Sequence, residues 1–186
     1  MVNTKQQICA WDENPFFIRA LLLSRFSYQT IVITKEQQIM NTTYYLDRFI
    51  SAQEQVYTTA LKELQNGRKE THWMWYIFPQ IVGLGQSEIS KYYAIKDINE
   101  AKAYLEHSVL RNRLDECLNA ILSCKTNNTV RIFGEIDSLK FHSSLTLFIL
   151  ADPENELFKE TLEKYYQGIT DFETENIIAK AKKLWH

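Results

Sequence analysis

From Met40 to the C-terminus, apolar residues recur every three or four positions along the chain. The clearest example runs from Leu46 to Leu64, where the apolar side chains fall on one stripe of a helix. Gly67 then supplies the residue for a left-handed C-terminal cap. No segment after Asn41 combines the alternating pattern of a strand with the turn residues of a hairpin. The sequence therefore predicts an all-α domain, a compact bundle of about eight mostly short helices.

The segment before Met40 has a different character. Tyr28–Thr34 is rich in β-branched residues, and the short apolar stretch after Pro15 has no helical period. We therefore predict that Met1–Ile39 is an N-terminal extension and that the helical domain spans residues 40–186. The extension is interpreted as a mobile tail, an added strand, or a segment translated from an upstream start codon, since a second methionine stands at the boundary.

Composition excludes several classes of protein. The formal net charge is -2, so no overall field attracts nucleic acid or acidic lipid, and no nucleic-acid partner is expected. No run of about 18 apolar residues is free of charge, which argues against a membrane span. The three cysteines form no C-x-x-C pair, which is typical of reduced thiols in the cytosol, and the N-terminus lacks the features of a signal peptide. A cytoplasmic location is therefore predicted.

Several helix ends in the second half of the chain can be assigned from capping residues. Thr71–Phe78 is predicted as a short helix that Pro79 stops. Asp137 is predicted as the N-cap of a helix over Ser138–Leu150, and the next helix is predicted over Glu154–Gln167. The core face predicted for the first of these two long helices consists of Leu139, Leu145, Phe148 and Ile149.

The first stretch that packing alone does not explain is His72–Gln80. Five aromatic rings, counting the imidazole, lie within about two helical turns. Two interpretations stay open, a buried aromatic-packed helix or a helix with one face lining a cavity. His72 fits either a buried hydrogen-bonding histidine or a general base. Trp73 or Trp75 can stack a ring, and the amide of Gln80 can satisfy either the local backbone or a ligand.

The second such stretch lies on the predicted helix Ser138–Leu150. Lys140, Ser143, Ser144 and Leu147 fall on one stripe of that helix, because they are three, four and seven residues apart. A lysine one turn below two hydroxyls can hold a phosphate or a carboxylate, and Thr146 is a further candidate ligand-binding hydroxyl. The alternative is a solvated face whose hydroxyls bond to the preceding carbonyls.

Metal and cofactor binding have little support in the sequence. The histidines are isolated from one another, with no H-E-x-x-H motif and no cysteine partners. Gly83-Leu84-Gly85 precedes a capped helix, but no predicted strand precedes it as the dinucleotide fingerprint requires. We therefore predict no metal site and no resident cofactor.

These blocks of residues resemble an uncharacterised bacterial family filed as domain of unknown function 1810. The resemblance covers about Leu46 to Asn176 and implies a compact all-helical fold and a free-standing cytosolic protein. It implies no activity, because the family has none established. The blocks that carry it are Gly67-Arg68-Lys69, His72-Trp73-Met74-Trp75, Phe78-Pro79-Gln80, Gly83-Leu84-Gly85, Phe133-Gly134 and Ser143-Ser144.

Two hypotheses about function follow. In the first, the protein is an enzyme or a binder of a small, anionic, nucleotide-like molecule, similar to NAD or ADP-ribose by a loose analogy of pattern. The anion would sit between the two stretches, held by Lys140 and the nearby hydroxyls, with His72 as the proton-transfer group. In the second, the domain is a non-catalytic helical interaction module whose exposed aromatic residues meet a protein partner.

Overall fold

Nine α-helices follow one another along the part of the chain that the computed structural model describes, residues 44–183. No strand occurs among these residues, so the prediction of an all-α fold is confirmed. The predicted extension, Met1–Ile39, lies outside the described residues. The helices are α1 (Asp47–Gln65), α2 (Met74–Ile77), α3 (Glu88–Tyr92), α4 (Ile98–Glu106), α5 (Ser108–Leu122), α6 (Thr129–Phe133), α7 (Glu135–Ala151), α8 (Glu156–Tyr166) and α9 (Phe172–Lys183).

Helix α7 runs through the centre of the helical domain. It packs against α4, α6, α8 and α9, and it also contacts α2. Because α7 is enclosed on most sides, it buries hydroxyl groups together with apolar side chains, and those hydroxyls need partners within the protein. Its fully enclosed side chains are Phe141, Ser143, Ser144, Leu145, Thr146, Leu147 and Phe148.

The second half of the core lies between α1 and α5, which pack along each other. Phe49 of α1 meets Tyr104 of α4 edge to face, with ring centroids 5.2 Å apart. Both rings are fully buried. Burial of one such side chain contributes about 1.5–3 kcal/mol, which makes the aromatic residues the largest contributors to this part of the core.

The predicted starts of α2 and α7 are wrong, and each error has an identifiable cause. Helix α2 begins at Met74 rather than Thr71, because the backbone N–H groups of Glu70 and Thr71 are held by the Glu63 carboxylate in a bend. Helix α7 begins at Glu135 rather than Ser138. Gly134, at φ 78°, turns the chain after α6, so α7 follows directly.

The limits of α8 also differ from the predicted Glu154–Gln167. Asn155 caps this helix by accepting from the backbone N–H groups of Leu157 and Phe158, at 3.1 and 3.4 Å, so the helix begins at Glu156. It ends at Tyr166, because Gln167 adopts a left-handed backbone conformation, as does the glycine that follows it.

The core face of α7 was predicted wrongly at Leu139, which is 69% exposed. Leu145 and Phe148 are buried as predicted, whereas Ile136 and Leu139 lie three residues apart on a side of α7 that faces solvent. Two further exposed apolar residues, Ile169 and Phe172, lie in the chain after α8. This part of the chain is next to α7, because a ring nitrogen of His142 lies 2.7 Å from the Ile169 carbonyl oxygen. We call Ile136, Leu139, Ile169 and Phe172 the apolar patch.

The segment after α2 is irregular but ordered by backbone pairing. Ile81 and Ile95 form an isolated parallel bridge, and the Ile95 N–H donates to the Gln80 carbonyl at 2.8 Å. The backbone at Gln80 is therefore paired with another part of the chain. Within residues 44–183, no helix has both the length and the apolar character to cross a membrane.

Candidate functional site

Glu63, near the end of α1, organises the segment that leads into α2. Its carboxylate accepts hydrogen bonds from the backbone of Glu70 and Thr71, from the Thr71 hydroxyl at 2.7 Å and from the Trp73 indole N–H at 2.7 Å. Burial alone would raise the pKa of Glu63, but these hydrogen bonds outweigh burial and hold the pKa below its usual value. A buried charge with this many donors fixes the direction in which α2 leaves the turn.

The two tryptophans of the HWMW block have different surroundings. Trp73 is fully buried, and its indole N–H is used by Glu63. Trp75 is half-buried, and its ring lies beneath the Lys140 ammonium, 4.6 Å from the nitrogen to the ring centroid. Its indole nitrogen is buried and has no hydrogen-bond partner among residues 44–183. The structure therefore brings Trp75 and Lys140 together, and it gives Trp73 a contact with Glu63 inside the core.

Two lysines share the carboxylate of Asp137. Lys69 contacts one oxygen and Lys140 the other, each at 2.7 Å. All three side chains are mostly enclosed, with exposures of 8% for Lys69, 17% for Asp137 and 22% for Lys140. Burial would raise the pKa of Asp137, but the hydrogen bonds and charges of the lysines hold it below its usual value. We call these residues the lysine–aspartate cluster, and with the lysines protonated it carries one excess positive charge.

The hydroxyls of α7 divide into bonded and unbonded groups. Ser143 donates to the Leu139 carbonyl and to the Asp171 carboxylate, at 3.1 and 3.2 Å. Thr146 accepts from the Asp171 backbone N–H at 2.8 Å. These two hydroxyls therefore hold the segment that starts α9. Ser144 is fully buried, and its hydroxyl has no hydrogen-bond partner in the described part of the chain.

Lys140 and Ser144 are separated by one helical turn and lie on the same face of α7. The ring of Trp75 covers this face at Lys140. Two buried donors without a partner, the Trp75 indole and the Ser144 hydroxyl, thus accompany a lysine that is still reachable from solvent. Buried polar groups without a partner are rare in native proteins, and each is a candidate for an unseen partner.

The remaining predicted site residues, Gln80 and His72, belong to the same stretch of sequence as Trp75 but have different surroundings from those of Trp75. Gln80 is half-buried, and its carbonyl takes part in the pairing with Ile95. His72 is exposed, so the expectation of a buried histidine is wrong. The reason is that His72 belongs to the bend before α2 rather than to the helix. Its role as a proton-transfer group stays a prediction.

Two members of the cluster were not recognised as site residues from the sequence. Asp137 was taken for a helix cap, and Lys69 stands 68 positions before it, in the Gly67-Arg68-Lys69 block. Only a spatial contact joins the two. An available signal was the pair Asp137 and Lys140, three residues apart, which a helix starting earlier brings onto one face. Among residues 44–183, no group of three or more metal-ligating side chains is present.

Comparison with known proteins gives a family and one similar structure. The family model described as a protein of unknown function (DUF1810) matches residues 43–178. The crystal structure of the conserved hypothetical protein Rv1873 from Mycobacterium tuberculosis is 42% identical, with a TM-score of 0.72, over 74% of this chain and 98% of that chain. No curated protein matches the chain. The family resemblance inferred from the sequence is confirmed. Neither the family description nor that of the similar structure states an activity.

Proposed function

We propose that the protein, which belongs to the DUF1810 family of proteins of unknown function, binds a small anionic molecule beside Lys140 and Trp75. The observation that carries the proposal is the sharing of one carboxylate by Lys69 and Lys140. One negative charge faces two positive charges, so the cluster attracts a further anion. The mostly enclosed positions strengthen that attraction, because charges interact more strongly where the dielectric constant is low.

Each part of the site has a distinct role in this proposal. Lys140 is the cation that meets the ligand, since it is the more exposed of the two lysines. The indole of Trp75 and the hydroxyl of Ser144 supply hydrogen bonds to acceptor atoms of the ligand. Ser143 and Thr146 position α9 beside the site, and Trp73 positions α2 through Glu63.

The aromatic surface of Trp75 favours a ligand that carries a planar ring as well as an anionic group. Nucleotides and related molecules, including NAD and ADP-ribose, have both parts. Gln80 is the neighbouring amide that we assign to the ring or the sugar of such a ligand. A reaction would need a proton-transfer group, and His72 is the candidate in this segment.

A thermal-shift screen tests the proposal with nucleotides, NAD, ADP-ribose and sugar phosphates. A ligand at about 100 times its dissociation constant adds about 2.7 kcal/mol to the stability of the folded state. We expect at least one of these compounds to raise the melting temperature of the wild-type protein. The screen contradicts the proposal if none of them does.

The Lys140→Met variant locates the binding, and the chain offers a matched control. Lys159 also pairs with an acidic residue three positions earlier, Glu156, at 2.8 Å, and lies on a different helix. We expect Lys140→Met to lower the affinity for the ligand by roughly tenfold or more, since it removes a hydrogen bond to a charged group. Lys159→Met should leave the affinity unchanged. Equal affinity in both variants would place the ligand elsewhere.

A second candidate function, a non-catalytic protein-interaction module, is supported by the apolar patch. Its four residues are all more than 60% exposed. Exposed apolar side chains grouped on neighbouring segments are typical of interaction sites in folded proteins. Replacement of Leu139 and Phe172 by serine should abolish binding to a protein partner while leaving the small-molecule shift intact, which separates the two functions.

We also propose that the protein acts in the cytosol and without nucleic acid. Cys117 and Cys124 are free thiols, and burial raises the pKa of Cys117 to about 12, which keeps it protonated and unreactive. The net charge of -2 gives no general attraction for phosphate backbones. Cell fractionation checks the location, and recovery in an extracytoplasmic fraction would contradict it. Salt-dependent retention of the protein on single- or double-stranded DNA would contradict the second expectation.

A further inference from the structure

A groove of about 290 Å³ lies on a different part of the domain from the lysine–aspartate cluster. Helix α1 contributes two small residues to its lining, Ser51 and Ala52. Its sides carry four tyrosines from three segments of the chain. We call it the tyrosine groove, after Tyr45, Tyr76, Tyr92 and Tyr93.

The tyrosine rings stand at steep angles to one another. Tyr92 and Tyr93 have centroids 4.8 Å apart and planes at 87°, and Tyr93 and Tyr76 have centroids 4.6 Å apart and planes at 71°. Successive edge-to-face rings present ridges with notches between them rather than one flat wall. Tyr45 and Tyr92 are 58% and 52% exposed, so the notches open to solvent.

The groove has no uncompensated charge to offer. Arg48 is the one charged residue among the described residues that line it. All five N–H donors of its guanidinium are used, on the carbonyls of Tyr44, Tyr45, Tyr92 and Ala94 and on the Glu100 carboxylate. Glu100 lies 2.6 Å away and balances the charge. A charged ligand would therefore find no partner here, whereas an uncharged one is not penalised.

The polar side chains that remain in the lining are the hydroxyls of the tyrosines and of Ser51 and the amide of Gln55, all of which can donate hydrogen bonds. Burial raises the pKa of Tyr93. The pKa of Tyr92 is raised mainly by a hydrogen bond with Tyr45 and to a smaller extent by burial. Both phenols are therefore protonated at neutral pH. The fitting ligand thus has acceptor atoms, flat apolar faces and no net charge. A proline-rich segment in the polyproline II conformation has these properties, because its carbonyls are unpaired, proline has no N–H and its rings are apolar.

We propose that the tyrosine groove binds a proline-rich peptide segment in the polyproline II conformation. Prolines would enter the notches between the edge-to-face rings, and tyrosine hydroxyls would donate to peptide carbonyls, as aromatic-lined grooves do in general when they bind such segments. The preformed extended conformation of the peptide lowers the entropy lost on binding, which makes a shallow groove sufficient. This site has no residue in common with the anion site proposed above, although the centroid of the Tyr76 ring lies 6.5 Å from that of the Trp75 ring.

The test is a titration of the full-length protein with a polyproline peptide of about ten residues, followed by NMR chemical shifts. We expect shifts at the tyrosine groove and saturable binding. Tyr92→Ala should weaken binding roughly tenfold and Tyr92→Phe roughly threefold, since the first removes a ring and the second only a hydroxyl. Ala52→Leu places a larger side chain in the lining of the groove while keeping a good helix former in α1, and it should also weaken binding. Val130→Ala is the control, at an exposed apolar residue outside both the groove and the apolar patch, and should bind as the wild type does.

The outcomes divide clearly. Saturable polyproline binding that Tyr92→Ala and Ala52→Leu weaken, in proteins whose circular dichroism melting curves match the wild type, supports the proposal. Three results overturn it: no polyproline binding, binding insensitive to both groove variants, or groove shifts with a soluble oligosaccharide and none with the peptide. A Tyr92→Ala protein that fails to fold leaves the Ala52→Leu and Tyr92→Phe results to decide.

Discussion

Glu63→Gln is expected to destabilise the domain, because it removes a buried negative charge that organises the segment before α2 while leaving the size of the side chain unaltered. The Glu63 carboxylate accepts four hydrogen bonds, including one from the buried Trp73 indole. A hydrogen bond to a charged group contributes about 1.5–3 kcal/mol, and a neutral one about 1 kcal/mol. Glutamine keeps one acceptor oxygen, so part of the network survives. We therefore expect a loss of about 2–3 kcal/mol at pH 7.

The pH dependence gives the sharper test. The pKa of Glu63 is lower in the folded protein than the ordinary value of 4.5. Its stabilisation is therefore complete above pH 4.5 and is lost as the pH falls through the lower, folded-state pKa. Glu63→Gln cannot titrate at this position. The difference in unfolding free energy between wild type and variant should thus be largest near neutral pH and narrow in acid.

Urea denaturation at several pH values measures this difference. A loss of about 2–3 kcal/mol also lowers the melting temperature by roughly 5–12 °C for a domain of this size. Glu88→Gln is the control, because its side chain is 94% exposed, and it should change stability by less than about 0.5 kcal/mol. A difference between wild type and Glu63→Gln that stays constant from neutral to acid pH would refute the assignment of a charged, organising role to Glu63.

Four further changes have defined expectations. Arg48→Lys should cost about 3 kcal/mol in urea denaturation, because lysine has three donors for the five acceptor contacts of the buried guanidinium, and unchanged stability would contradict its internal role. Gly134→Ala should cost about 1–3 kcal/mol, from backbone strain alone, since a Cβ there meets nothing within 4 Å and the backbone angles, φ 78° and ψ 170°, lie in a region that is essentially restricted to glycine; a loss well above that would indicate a clash. Leu139→Gln should change the unfolding free energy by less than about 0.5 kcal/mol, as its side chain lies in solvent, and a large loss would return it to the core. A chain beginning at Met40 should melt at nearly the same temperature as the full-length protein, whereas a large drop would make residues 1–39 part of the fold.

The helices themselves were predictable because apolar spacing and capping residues are local signals. Asp97 accepts from the backbone N–H groups of Asn99 and Glu100, and Asn128 caps α6, and both are residue types preferred at N-caps. The errors occurred where a distant side chain decides the local conformation. Glu63 holds the backbone of Thr71 from eight positions away and delays α2, and no periodicity within the segment records that.

The candidate site was predictable only in part for the same reason. Trp75, Lys140 and Ser144 could be selected as unusual residues of unusual blocks, and the contact between Trp75 and Lys140 agrees with two neighbouring stretches. The pairing of Lys69 with Asp137 depends on how the segment after α1 lies against α6, where the Lys69 N–H donates to the Ile132 carbonyl at 2.7 Å, and against the start of α7. Side-chain chemistry says that a lysine can pair with any carboxylate in reach, but only the packing of the helices decides which one is in reach.

The arrangement of the lysine–aspartate cluster also suggests how the proposed ligand would enter. Lys140 covers the ring of Trp75 in the free protein, so a nucleobase cannot stack on that face while Lys140 stays in place. Asp137 is held by Lys69, the less exposed lysine, and therefore keeps a partner when Lys140 leaves. The carboxylate that Lys140 leaves keeps its other cation, so the contact that Lys140 gains with the anion replaces the contact that it loses. One movement of Lys140 from Asp137 to the ligand would thus provide the anion with its cation and uncover the ring beneath it.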